Sequence, residues 1–185
     1  NDDDALYTDD IATITATTTT TSKSSKKPIS LLFLPSVQDY SNVILAFSQN
    51  HNKDRGSIAA AQRANDLLNR MLQLYDTGKW GSKNKPQPLV FNAVITAWSN
   101  HNHNNGRSAK KAEAVLNLFE NLYFDPTKPQ YDFAPDNVSY NAAITAWSNC
   151  KEIASVHKAE ELLQRMMKNT DKYYNYNNNN NKAKL

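Results

Sequence analysis

The chain has 185 residues, 39% of them hydrophobic, with a single cysteine and a formal net charge of +3 at pH 7. That length holds one domain or a few repeated units with tails. One thiol excludes an internal disulfide and suits a reducing compartment, and no apolar run approaches the ~20 residues of a membrane-spanning helix.

The first ten residues contain five aspartates and no Lys or Arg, so the rest of the chain carries +8, a basic bias compatible with a polyanionic partner. Residues 1–29 are dominated by Asp, Thr, Ser and Lys. They cannot bury enough apolar surface to offset their ordering entropy, and residues 1–35 are expected to be a disordered low-complexity segment. Residues 11–30 lack acids, as transit peptides do, although they also lack Arg and follow an Asp-rich start. The chain opens with Asn rather than Met, as expected of a fragment or a processed form.

Beyond Pro35-Ser36 the pattern becomes helical. Tyr40, Val43, Ile44 and Phe47 recur at i, i+3, i+4 and i+7, and a second stripe follows at Ala64, Leu67, Met71 and Leu74. After Pro86-Gln87 the logic repeats with Phe91, Val94, Ile95 and Trp98, then Ala112, Val115, Phe119 and Leu122. After Pro135-Asp136 it repeats again with Tyr140, Ala143, Ile144 and Trp147, then Ala159, Leu162 and Met166. Residues 91–100 (FNAVITAWSN) and 140–149 (YNAAITAWSN) are near-copies, and 40–49 (YSNVILAFSQ) is a weaker third. A recurrence of about 50 residues signals stacked supersecondary units whose usual work is binding.

Each unit therefore reads as two helices. Polar loops separate them, Ser57, Ser108 and Ser155 are expected to cap the second helix, and the closing proline stops that helix before the next unit. The units are placed at 36–87, 88–136 and 137–185, the last losing order in its Asn-rich end at 175–181. The third unit stops before a closing proline, so the array is expected to continue past residue 185. The expected fold is all-α, an α-solenoid of about three helix-turn-helix repeats with disordered tails. The aromatics share the core stripe, so Phe91, Tyr140, Trp98 and Trp147 are expected to be buried rather than offered to a ligand.

An aromatic-Asn pair opening a helix, an aliphatic pair after it, then a second helix with Ala, Leu and Met and a closing Pro-Asp resembles the pentatricopeptide repeat. The run Pro135-Asp136-Asn137-Val138-Ser139-Tyr140-Asn141 carries the likeness most strongly, and it covers about residues 36–170. The tetratricopeptide repeat is a poorer fit, because its early Trp and Leu-Gly are missing here.

The resemblance implies a reader of single-stranded RNA, with one base per repeat, working in RNA processing, stability or translation in a mitochondrion or plastid. The residue after the core aromatic (Ser41, Asn92, Asn141) is expected to face the binding groove. It would read a base edge together with the residue after the closing proline, which pairs Ser41 with Gln87 and Asn92 with Asp136. The Asn92–Asp136 combination resembles the family's uracil reader. The partner of Asn141 would lie past residue 185. Leu89 and Val138 match the position that wedges between bases, where the first unit has Gln38 instead. Gln49, Asn100 and Asn149 stand where the family often has a phosphate-contacting Lys, so affinity and salt dependence are expected to be reduced, with Lys110, Lys111 or Lys158 as other sources of backbone contact.

No cofactor, metal or catalytic residue is expected. His101 and His103 have no Cys or acidic companion at metal-ligand spacing, Cys150 has no catalytic partner pattern, and Asn137-Val138-Ser139 is a glycosylation sequon in a chain with no secretory signal. The competing reading is a scaffold that holds a peptide segment of a protein partner in the same groove.

Overall fold

In a computed structural model of the chain, residues 34–49, 56–80, 85–100, 106–128 and 131–182 are described. All the secondary structure among them is helical: α1 (Val37–Ser48), α2 (Gly56–Asp76), α3 (Pro88–Ser99), α4 (Arg107–Phe124), α5 (Asn137–Ser148) and α6 (Ile153–Lys182). Except for Leu34 they belong to one unit, Pro35–Leu185. Residues 1–33 of the N-terminal low-complexity segment, His101 and His103 lie outside the described residues.

The three helices that carry the near-copied sequence share one length, 12 residues, and each begins two residues after a proline. Ser36, Gln87 and Asp136 are their N-caps. Ser36 and Asp136 close capping boxes with Asp39 and Ser139, which satisfy donors that the first turn leaves open. Gln87 makes no side-chain cap bond, and Pro88 at the first helical position has no N–H to satisfy.

Helices pair as hairpins, α1 with α2, α3 with α4 and α5 with α6. The short helices α1, α3 and α5 also pack in succession, and α2 and α4 each pack against the short helix that follows. Asn100 at the end of α3 donates to the Ser48 carbonyl at the end of α1 (3.4 Å), and Ser139 at the start of α5 meets Asn92 near the start of α3, so the three run in the same direction.

The core lies along these contacts. Phe91, Tyr140, Trp98 and Trp147 are buried, as their stripe predicts. Phe91 stacks on Phe119 of its own hairpin with ring centroids 4.2 Å apart. Ala64 and Ala112 are fully buried and let the helix backbones approach, while Leu68, Met71, Leu116 and Phe119 fill the space beyond. Each such side chain contributes roughly 1.5–3 kcal/mol of transfer free energy. Trp80 closes the first hairpin by donating to the Pro35 carbonyl (2.9 Å) and meeting Tyr40 edge-on.

Two expectations change. Ser108 and Ser155 lie inside α4 and α6 and are buried, so neither is a cap. Gly106 caps α4 with φ +62, and a Cβ there would sit 3.5 Å from the Trp147 ring. Ser57 likewise lies within α2 rather than before it. The Asn-rich end is not a coil either: the backbone of 175–181 continues α6 to Lys182. Extending a formed helix adds one hydrogen bond per residue fixed, and the low helix propensity of Asn costs only a fraction of a kcal/mol each.

Candidate functional site

The residues singled out in the sequence gather along the N-terminal edges of the short helices. Leu89 and Val138 are each the second residue of their helix, and both are more than half exposed, 57% and 54%. Large apolar side chains left open at two equivalent positions form a pair of apolar ridges on this edge.

Between them lies a buried polar seam. Asn92 Nδ2 donates to Asp136 Oδ1 at 3.1 Å, across 44 residues of sequence. Ser139 donates its hydroxyl to Asn92 Oδ1 at 2.5 Å, and its backbone N–H donates to Asp136 Oδ1 at 3.0 Å. The Ser139 hydroxyl also accepts from the Asp136 backbone N–H (3.1 Å). Asp136 is therefore both the cap of α5 and the group that orients the Asn92 amide, while remaining exposed itself.

Asn92 was expected to face a groove, and it does not: it is 6% exposed. A rotation of about 100° from the core stripe carries it off one buried face and onto another, the one covered by α5. Ser41 holds the matching position on α1 and is 8% exposed. Its hydroxyl turns back to the Val37 carbonyl (2.7 Å), and Gln87 donates to the Lys85 carbonyl (3.3 Å), so the first expected pair does not meet. Asn141, on the last short helix, is exposed.

Gln49, Asn100 and Asn149 are the C-caps of the short helices. Lys110 and Lys111 are exposed on α4, and Lys158 is engaged with Glu161 at 2.6 Å. Cys150 is buried against the Ala146 carbonyl. Among the described residues, no three His, Cys, Asp or Glu come together to hold a metal, and no helix is long and apolar enough to cross a membrane.

Sequence reasoning missed Ser139 and a second polar cluster. Ser139 was signalled by the Asp136-x-x-Ser139 spacing of a capping box. The second cluster joins α4, α5 and α6. Tyr140 donates its hydroxyl to Glu120, and Asn169 Nδ2 reaches the same hydroxyl at 2.9 Å. Trp147 Nε1 donates to Glu113 at 2.9 Å. Arg165 pairs with Glu120 and Glu113 at 3.4 and 3.9 Å. Burial, and then the Glu120 carboxylate, push the Tyr140 hydroxyl above its ordinary value, so it stays a neutral donor. These partners sit on three helices, and no periodicity within one helix announces them.

No known protein family, curated protein or solved structure matches this chain.

Proposed function

We propose that the chain is a segment of an α-solenoid of helical repeats that binds single-stranded RNA along the N-terminal edges of α1, α3 and α5. The observation that carries this reading is the seam. Two residues picked from the sequence as a base-reading pair lie 3.1 Å apart, and the exposed apolar ridges Leu89 and Val138 flank them.

The chemistry suits uracil. The exposed member of the pair is Asp136, whose Oδ1 already accepts from the Asn92 amide and the Ser139 N–H. A base held between the two ridges would donate its N3–H to that carboxylate, with the buried Asn92 as the positioning residue. Contact of a base with these aliphatic side chains would add less than the roughly 1–3 kcal/mol per base of an aromatic stacking platform. The resemblance of the repeats further suggests work on transcripts in a mitochondrion or plastid.

The test is equilibrium binding of U-rich and A-rich single strands to the wild-type chain and to Asn92→Ala, with circular dichroism to verify the fold. The variant should lose about tenfold of the U-over-A preference, as expected when the group that orients the reading carboxylate is removed. A folded variant with unchanged affinity for every RNA would remove Asn92 from the site.

A further inference from the structure

The edge that carries Leu89 and Val138 is acidic. Asp39 in the first turn of α1, Asp132 in the loop before α5 and Asp136 at the α5 cap are all exposed. Among the described residues 34–39, 85–90 and 131–139, which enter the three short helices, Lys85 is the one Lys or Arg. The cations considered from the sequence sit elsewhere. Lys110 and Lys111 lie near the start of α4, and Lys158 near the start of α6, next to the far ends of α3 and α5. A short helix of 12 residues is about 18 Å long. That exceeds the ~8–10 Å over which exposed charges act at ordinary ionic strength. A phosphate chain on this edge therefore meets repulsion everywhere except beside Lys85.

Lys85 is held across the junction between the first two hairpins. Its ammonium meets Asp132 Oδ1 at 2.5 Å and stands 5.6 Å from the centroid of the Phe133 ring. Phe133 is fixed in turn, edge-on against Phe119 and Tyr131. The loop before α5 thus parks a cation at the entry to α3. Both members of the pair are open to water, the Lys85 side chain 31% and the Asp132 side chain 63% exposed. A pair as exposed as this contributes at most about 1 kcal/mol. The ammonium can therefore leave the carboxylate at little cost, while the face of the ring still favours a cation there.

We infer that Lys85 is the phosphate-binding residue of this edge and that Asp132 competes for it: on binding, the ammonium exchanges the Asp132 carboxylate for a backbone phosphate of the strand seated between Leu89 and Val138. The inference rests on the RNA reading of the edge and adds the group that meets the backbone. The exchange leaves the ammonium paired before and after, and the released carboxylate is already exposed enough to be hydrated. Two jobs are then divided between neighbouring groups. Asp136 meets the base, and Lys85 supplies an attraction that is blind to sequence. Asp132 sets how much of that attraction is available.

The experiment is fluorescence anisotropy of labelled U-rich and A-rich single strands over a salt series, with the full 185-residue chain. The variants are Lys85→Gln, Lys85→Arg, Asp132→Asn and the double variant Lys85→Gln with Asp132→Asn, each checked for fold by circular dichroism. Lys85→Gln should weaken both strands about fivefold near 0.1 M salt and leave the U-over-A ratio intact. It should also lower the slope of log affinity against log salt by about 0.7, the share of one phosphate on a single strand. Lys85→Arg keeps the charge and should keep the slope. Asp132→Asn should tighten both strands, and that gain should be lost when Lys85 is also replaced. A Lys85→Gln variant with wild-type affinity and slope overturns the inference, and a U preference that persists in it leaves the RNA reading standing. A gain from Asp132→Asn that survives in full in the double variant also overturns it, since the carboxylate would then only repel the strand. A folded wild-type chain that binds neither strand removes the RNA reading and the inference with it.

Discussion

Asn92 sits where a polar side chain is costly to strip of its partners. Its amide bridges Asp136 and Ser139 inside a seam closed to water. Replacing it with Ala removes the shorter of the two acceptors of the buried Ser139 hydroxyl, leaving Asp136 Oδ1 at 3.1 Å, and urea unfolding should show a loss of about 1–2 kcal/mol. Ser139→Ala removes the same bond and half of a capping box, and about 1–2 kcal/mol should go with it. If Ser139→Ala also weakened U-rich RNA binding while the fold persisted, orientation of the Asp136 carboxylate would be the cause, because Ser139 is wholly buried and bonds to it. The aromatic-Asn motif made Asn92 easy to pick from the sequence. Its burial was not legible, because a single periodic stripe reports one buried face. Helix α3 has neighbours on both sides, and Val90 to Ile95 are all buried.

At the scale of elements, the two Trp residues of the near-copies have different surroundings. Trp147 Nε1 donates to Glu113, whereas Trp98 Nε1 is buried with no hydrogen-bond partner among the described residues. The residue of α2 that matches Glu113 is Asn65, which is shorter by one methylene. Asn65→Gln should bring a neutral acceptor within reach of Trp98, and thermal unfolding should shift upward by the equivalent of about 1 kcal/mol. An unchanged melting temperature would mean that the added length points elsewhere. The start of each short helix was readable from Pro-x followed by the repeated motif. The starts of the second helices were not, because Ser108 resembles a cap in sequence while Gly106, at positive φ, takes that position. The helical course of 175–181 was hidden by composition, since Asn is a poor helix former on its own but can extend a helix already formed.

Across the whole molecule, each helix pair packs on its neighbours in sequence, with polar bridges between successive pairs. Tyr131 donates to Asp76 (2.8 Å) beside the Lys128–Asp76 ion pair. The exposed ion pairs contribute at most about 1 kcal/mol each, but the tyrosines give the fold a pH signature. Burial raises Tyr131, Tyr140 and Tyr173 above the ordinary value of 10.0, and acidic or phenolic partners add to the effect. The folded chain then keeps protons that the unfolded chain releases. Their contribution is full below pH 10 and is lost as pH rises beyond it. Stability followed by denaturant midpoint should therefore be insensitive to these groups through neutral pH and should fall above about pH 10. A midpoint unchanged at pH 11 would show that these hydroxyls are open to solvent.

The central claim is that this helical stack holds single-stranded RNA along the edge defined by Leu89, Asn92, Asp136 and Val138. Fluorescence anisotropy with labelled U-rich single strands, A-rich single strands and duplex RNA, each at two salt concentrations, tests it most directly. The account predicts preferential binding of the U-rich strand, weakened by added salt because phosphate contacts release counterions. Equal binding of all three RNAs, or no binding by the folded chain, would contradict it.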